Sequence, residues 1–193
     1  KLGGTGSDVL KSVIKQDNKY IAVGQKTGKL NIPKELTASG EEINITDSGT
    51  RGILIEFNEE GKILDVRVPE GGASNYTTIS NLSDGGYIIG GMANTNIIVD
   101  DLSLEGLANN EGFILEFNSD DSVRKLTKLY FTIYTGINKI QEFDDGGLII
   151  ASSTTQKDIV IPSDATTYGE VTINRGGGNS DGLVVRLNPE RKI

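Results

Sequence analysis

One short phrase occurs three times along this chain. A glycine, a run of strand-forming residues and an asparagine recur as Gly52-Ile-Leu-Ile-Glu-Phe-Asn58, Gly112-Phe-Ile-Leu-Glu-Phe-Asn118 and Gly182-Leu-Val-Val-Arg-Leu-Asn188. A second phrase lies upstream of each: Asp17-Asn-Lys-Tyr-Ile-Ala-Val-Gly24, Asp84-Gly-Gly-Tyr-Ile-Ile-Gly-Gly91 and Asp145-Gly-Gly-Leu-Ile-Ile-Ala-Ser152. The asparagines are 60 and 70 residues apart and the aspartates 67 and 61. Two independent anchors therefore keep one period of roughly 65 residues, and such a period restricts the chain to architectures that repeat one supersecondary unit.

Each unit reads as four strands. The first is amphipathic (Val9 to Ile14, Tyr76 to Leu82, Ile137 to Phe143) and ends in a turn that holds Asp-Gly-Gly in two of the three copies. Asp-Gly accepts the positive φ of a tight hairpin, and Asn18 serves in the first copy. The second strand (Tyr20 to Val23, Tyr87 to Ile89, Leu148 to Ile150) is apolar on consecutive residues and so should be covered on both faces. The third alternates: Ile53, Ile55 and Phe57 share one face, as do Phe113, Leu115 and Phe117, and Leu183, Val185 and Leu187. Its other face carries Glu56, Glu116 and Arg186 at equivalent places. A fourth strand follows at Ile63 to Val68 and Val123 to Tyr130, and the third copy stops at Ile193 where its own would begin.

Four antiparallel strands with an inner strand buried on both faces describe a β-propeller blade, because neighbouring blades supply the two covers. The expected fold is all-β, with blade units of about 5–68, 69–131 and 132–193 in one repeat domain. A β-trefoil-like threefold barrel is the alternative. Closed propellers hold about 4–8 blades, so three are expected to form an arc of a larger ring. The residues Lys1-Leu2-Gly3-Gly4 align with the end of a fourth strand, and the arc would be completed by further blades in cis or by a second copy.

The units differ most between their second and third strands, at 25–51, 92–111 and 152–181. Lys29-Leu-Asn-Ile-Pro33 with Glu42-Ile-Asn-Ile-Thr46, and Asp158-Ile-Val-Ile-Pro162 with Glu170-Val-Thr-Ile-Asn174, read as paired short strands. Each insertion is expected to be an extra hairpin on the same side of its unit. Polar insertions on a rigid scaffold are where binding function concentrates. The candidate ligand-contacting residues are therefore Lys29, Asn31, Glu42, Asn44, Asp100, Asp101, Asp158, Tyr168, Glu170 and Asn174.

The pattern Gly-Gly-x-Gly-x-Asp at Gly3 to Asp8, then Asp84 to Gly91, then Asp181 to Asn188, resembles bacterial surface β-propeller repeats of the SBBP type. The lysine of that repeat is replaced here by Glu56, Glu116 and Arg186, and the outer-strand tryptophan is absent. The resemblance implies export, cell-surface display and interaction work, with no catalytic motif to carry over.

Composition narrows the chemistry. Among 193 residues there is no cysteine and no histidine, which removes disulfides, thiol nucleophiles, Ser-His-Asp chemistry and imidazole zinc sites. A formal charge of −8 disfavours nucleic acid, and no apolar run approaches the ~18 residues of a membrane span. Most acids fall in turns, as at Glu59-Glu60, Asp120-Asp121 and Asp144-Asp145, so a carboxylate glycoside hydrolase is the least favoured reading. Asn118, Asp120, Asp121 and Ser122 offer oxygens for calcium, but no turn follows the Asp-x-Asp-x-Asp-Gly loop, and no cofactor is expected. Gly3-Gly4-Thr5-Gly6 lacks the Lys-Ser/Thr of a phosphate loop and reads as a connector between units. Glycan recognition through exposed aromatics would fall to Tyr76, Tyr130, Tyr134 or Tyr168, since Tyr20 and Tyr87 lie on the strand expected to be buried. The expected function is a non-catalytic, adhesin-like module on the bacterial surface that binds a protein or glycan through its insertions. The alternative is a structural spacer or display domain.

Overall fold

A computed structural model describes residues 3–4, 6–107, 110–132, 136–155, 158–167, 169–174 and 181–193. The first unit contains β1 (Gly3–Gly4), β2 (Val9–Gln16), β3 (Lys19–Thr27), β4 (Leu30–Ile32), β5 (Ile43–Ile45), β6 (Thr50–Asn58) and β7 (Ile63–Arg67). The second contains β8 (Glu70–Gly71), β9 (Ser74–Asn81), β10 (Tyr87–Ala93), β11 (Ile97–Val99), β12 (Leu102–Leu104), β13 (Glu111–Phe117) and β14 (Val123–Thr132). The third contains β15 (Ile137–Glu142), β16 (Leu148–Thr154), β17 (Asp158–Ile161), β18 (Val171–Asn174) and β19 (Asp181–Leu187). The fold is all-β with antiparallel sheets, and among the described residues the one helical element is a 3-10 turn at Lys34–Leu36.

Each unit builds its own sheet, ordered β2-β3-β6-β7, β9-β10-β13-β14 and β15-β16-β19. Among the described residues no strand of one of these sheets pairs with a strand of another, so the units meet by stacking faces and do not merge into a barrel. The register places Ile21 opposite Glu56, Ile88 opposite Glu116 and Ile149 opposite Arg186. These residues define one face of each sheet. Ile21, Val23 and Leu54 on that face of the first sheet pack into a cluster with Tyr76, Ile79, Tyr87, Ile89, Phe113, Leu115 and Phe117 of the second. Ile88 and Ile114 on the second sheet's opposite face join Ile137, Ile140, Leu148, Ile150, Val185 and Leu187 of the third. The middle sheet is therefore covered on both sides, as the unbroken apolar runs in its inner strands require.

Two aromatic pairs stiffen the first seam: Tyr87 stacks on Phe117 at 4.6 Å between centroids, and Tyr76 meets Phe113 edge-on at 6.0 Å. At the second seam the sheets come close because Gly90 has no side chain; a Cβ there would lie 2.8 Å from Ile140 Cδ1. Hydroxyls bridge the same seam, with Thr77 Oγ1 donating to the Ile137 carbonyl at 2.9 Å and Ser80 Oγ to that of Ile140 at 2.6 Å.

Three features differ from the expectation. Tyr20 is exposed: the first hairpin covers Ile53 and Ile55 on that side of the sheet, and among the described residues no sheet stacks over Tyr20. The Asp-Gly-Gly turns are five-residue loops: Asn81 pairs with Tyr87, the Leu82 amide donates to the Gly86 carbonyl, and the Asp84 carboxylate accepts from the Gly86 amide at 3.0 Å. Asp145 caps Gly147 in the same way at 2.8 Å. Finally, the connectors that enter the first and second units are short strands. Gly3 and Gly4 pair with Asn31 and Leu30, and Glu70 and Gly71 pair with Ile98 and Ile97, so a connector edges the inserted hairpin of the unit it enters.

Candidate functional site

Every insertion leaves the end of a second strand and returns at the start of a third, so all three project from the same end of the stacked sheets. They are hairpins: β4 with β5, β11 with β12, and β17 with β18. Their strands alternate. Ile97 and Val99, and Ile159 and Ile161, turn inward into the clusters that hold the sheets together, and Leu30 and Ile32 turn inward onto the first sheet alone. The hairpins are thus half core and half surface, more integral than a plain surface loop. The residue between each inward pair points out: Asn31 in the first hairpin, Ile98 in the second and Val160 in the third, all exposed. Cross-strand from them stand Asn44, Ser103 and Thr172.

The structure gathers the sequence-derived residues by hairpin. Asn31 Nδ2 donates to Glu42 Oε1 and, at 2.7 Å, to Asn44 Oδ1, while Asn44 Nδ2 donates to Glu42 Oε1 at 2.9 Å. Those three side chains form one exposed amide–carboxylate cluster, and exposed Lys29 precedes the strand. Asp100 and Asp101 form the turn between β11 and β12, with Asp100 at φ 51°. Asp158 and Asn174 face each other across the base of the third hairpin, and Glu170 is exposed just before β18. Tyr168 and Tyr134 lie outside the described residues, as do Lys1 and Leu2. Ile98 and Val160 are the contributors that charge and polarity did not single out. Period-two alternation in the inserted strands is the signal that finds them.

Beneath the second hairpin a cleft of about 220 Å³ opens between the first two sheets, lined by Arg67, Glu70, Ile98 and Asp100 over a floor of Leu54, Tyr76 and Phe117. Tyr76 is fully buried there. Burial first, and the Asp100 carboxylate second, push its phenol above the ordinary tyrosine range.

The first hairpin is anchored by a buried cation. Lys26 is enclosed, and its Nζ donates to the carbonyls of Asp47 at 2.5 Å and of Gly28 and Gly49 at 3.2 Å, with Asp47 Oδ2 at 3.3 Å. The Gly49 amide, then Lys26 and Arg51, hold the Asp47 carboxyl below the usual carboxylate range. An ammonium in this position fixes both roots of the insertion by bonding carbonyls on each side of it.

Buried acids lie at the seams between sheets, away from the hairpins. Glu116 forms a bidentate pair with Arg191, Nε to Oε1 at 2.8 Å and Nη2 to Oε2 at 2.6 Å, with both side chains nearly inaccessible. At the equivalent place Glu56 is bridged by Lys19 (2.9 Å) to Asp121 (2.5 Å). Arg191 reaches Glu116 across the second seam, and Lys19 ties Glu56 of its own sheet to Asp121 across the first, so these carboxylates are structural parts. Asp121 therefore departs from the expected solvated hairpin tip. The turn with oxygens for calcium is also internally engaged: Asp120 Oδ1 accepts from Ser122 N and Oγ, and Asn118 Oδ1 accepts from Arg124. Among the described residues no group of three or more acidic side chains converges on a common point suited to a metal, and no helix is long and apolar enough to cross a membrane. No family model matches this chain, and no curated protein matches it.

Proposed function

We propose that this chain is an arc of a β-propeller that acts as a non-catalytic binding module on the surface of a bacterium, contacting a protein or glycan through its three inserted hairpins. One observation carries the reading: three hairpins leave the same end of three stacked sheets, each locked to the core by one face and offering the other to solvent. Rooted in this way, the outward residues are pre-organised, which lowers the ordering penalty on binding. Their chemistry is mixed, amide and carboxylate on the first hairpin and aliphatic with hydroxyl on the second and third. That combination suits a ligand with both polar and apolar parts. The resemblance to surface propeller repeats supports the same placement and remains part of the proposal.

The test is an array of extracellular-matrix proteins and glycans probed with the chain, then with Asn31→Arg, Ile98→Arg and Val160→Arg. Each substitution changes an exposed side chain and leaves the inward, buried face of its hairpin intact, so melting should change little while capture of the hit falls at least about tenfold. Capture that survives all three substitutions would place the binding elsewhere. A blank array, repeated with the native surface as probe, would favour the spacer alternative.

A further inference from the structure

We infer that the two outer sheets of this arc are halves of one seam, and that a second copy of the chain closes it head to tail into a six-bladed ring. The inference rests on the arc reading above and adds its partner. Register with the second strand aligns Leu10, Tyr76 and Ile137, then Val13, Ile79 and Ile140, then Tyr20, Tyr87 and Leu148. In the second and third units these positions are at most 2% exposed, because the preceding sheet covers them. In the first unit Leu10 is 44% exposed, Val13 60% and Tyr20 39%, while Ile53 and Ile55 on the same face are buried beneath the unit's own hairpin, so the open part is the row along the first strand and Tyr20.

The opposite face shows the converse. Ile21 with Leu54, and Ile88 with Ile114, are buried beneath the following sheet. Their counterparts Ile149 and Val184 are not, and Val184 is 68% exposed. One end thus carries the donor half of a seam that the molecule makes twice internally, and the other end carries the acceptor half. Isolated apolar residues on a surface need no explanation, but two complementary rows at repeat-equivalent positions do.

Charge agrees with this pairing. At the position of Glu56 and Glu116, both buried, stands Arg186, whose side chain is 64% exposed and rests on Phe143 and Asp145. In the second internal seam the acid at this position meets a cation from across the seam, Arg191 for Glu116, whereas in the first Lys19 of the acid's own sheet bridges Glu56 to Asp121 of the next. In the proposed seam the sign is reversed. Arg186 of one copy meets the turn Asn58-Glu59-Glu60-Gly61 of the other, where Glu60 is exposed and Glu59 is held by Lys15. A head-to-tail contact closes only if its rotation returns to the start, and two copies of three blades give six, inside the range of about 4–8 that twisted sheets allow around one axis.

The test uses the whole chain and its variants Val13→Asp and Val184→Asp. Both residues are exposed in a single copy, so circular dichroism and melting of the monomer should not change. Sedimentation at rising concentration should show a species of twice the 20.6 kDa chain mass. Either variant should weaken it roughly 100-fold, since a carboxylate is desolvated at each seam. Mixing the two variants should restore a dimer, because one of the two seams then pairs unaltered faces. A monomer at all concentrations overturns the inference while leaving an arc completed in cis. An open series of larger species overturns the closed ring. A dimer indifferent to both substitutions, or one that mixing fails to restore, overturns the head-to-tail seam.

Discussion

Replacing Arg191 with alanine should destabilise the protein more than any surface position near it. The guanidinium makes two short bonds to Glu116 and a third to the Gly146 carbonyl at 2.8 Å, and it joins the second and third sheets at their seam. Glu116 is 2% exposed, so truncation leaves a carboxylate without its cation in a place water scarcely reaches. Removing one partner of a buried ion pair costs about 3–5 kcal/mol. For a chain of this size each kcal/mol lowers Tm by roughly 2–4 °C, so a loss on the order of 6–20 °C is expected. Arg191 also holds φ 71°, a region that costs an ordinary residue about 1–3 kcal/mol and glycine almost nothing. Its counterpart in the first unit is Gly61, at φ 77°. Arg191→Gly should therefore be milder than Arg191→Ala by about 1 kcal/mol. The double variant Glu116→Leu with Arg191→Leu removes both charges and should recover most of the loss. Urea unfolding of the four proteins, read by circular dichroism, measures all of this. A loss below about 1 kcal/mol for Arg191→Ala would refute the view that this pair secures the seam.

The two glycines of the Asp-Gly-Gly loop should fail for different reasons. Gly85 sits at φ +85°, and a Cβ there would make only an ordinary contact with Ser119 Cβ at 3.6 Å, so Gly85→Asn should be nearly neutral; at Gly86 a Cβ would lie 2.3 Å from the Phe117 carbonyl, so both Asn and Val should cost about 1–3 kcal/mol. Equal tolerance at the two positions by thermal melting would contradict the loop geometry. Stability should also decline in alkali. Burial, with Asp121 and Glu56 nearby, raises the Tyr87 phenol above its ordinary value, and burial with Asp100 raises that of Tyr76. Burial opposes the Lys19 charge, but hydrogen bonds to Asp121 and Glu56 outweigh it and raise that pKa too. Groups raised in the folded state contribute fully below their unfolded values and lose that contribution as pH climbs through the folded ones, here from about pH 10 upward. Tyr87→Phe should flatten the decline by up to about 1.4 kcal/mol per pH unit in urea titrations between pH 9 and 11, and an unchanged slope would count against it.

The sequence by itself determined the repeat and the strands, because both follow from local rules. Alternation at Ile53, Ile55 and Phe57 and continuity at Tyr87, Ile88 and Ile89 are consequences of a two-residue side-chain period, and they mark which strands lie inside. The recurring asparagines were legible for the same reason: Asn58 and Asn188 each turn the chain by accepting bonds from amides a few residues on. The paired insertions were legible too, and with them the exposed cluster of Asn31, Glu42 and Asn44. What stacks on what was decided only in three dimensions. Tyr20 and Tyr87 occupy the same place in the repeat, yet one is exposed and the other enclosed, because burial depends on a neighbouring sheet that no local pattern encodes. The same holds for Glu116 and Arg191, 75 residues apart, and for Lys26, whose partners lie in the turns flanking an insertion. Pairing across such distances is set by the packing of whole sheets, and so tertiary structure alone turned a row of charges into the fastenings of the fold.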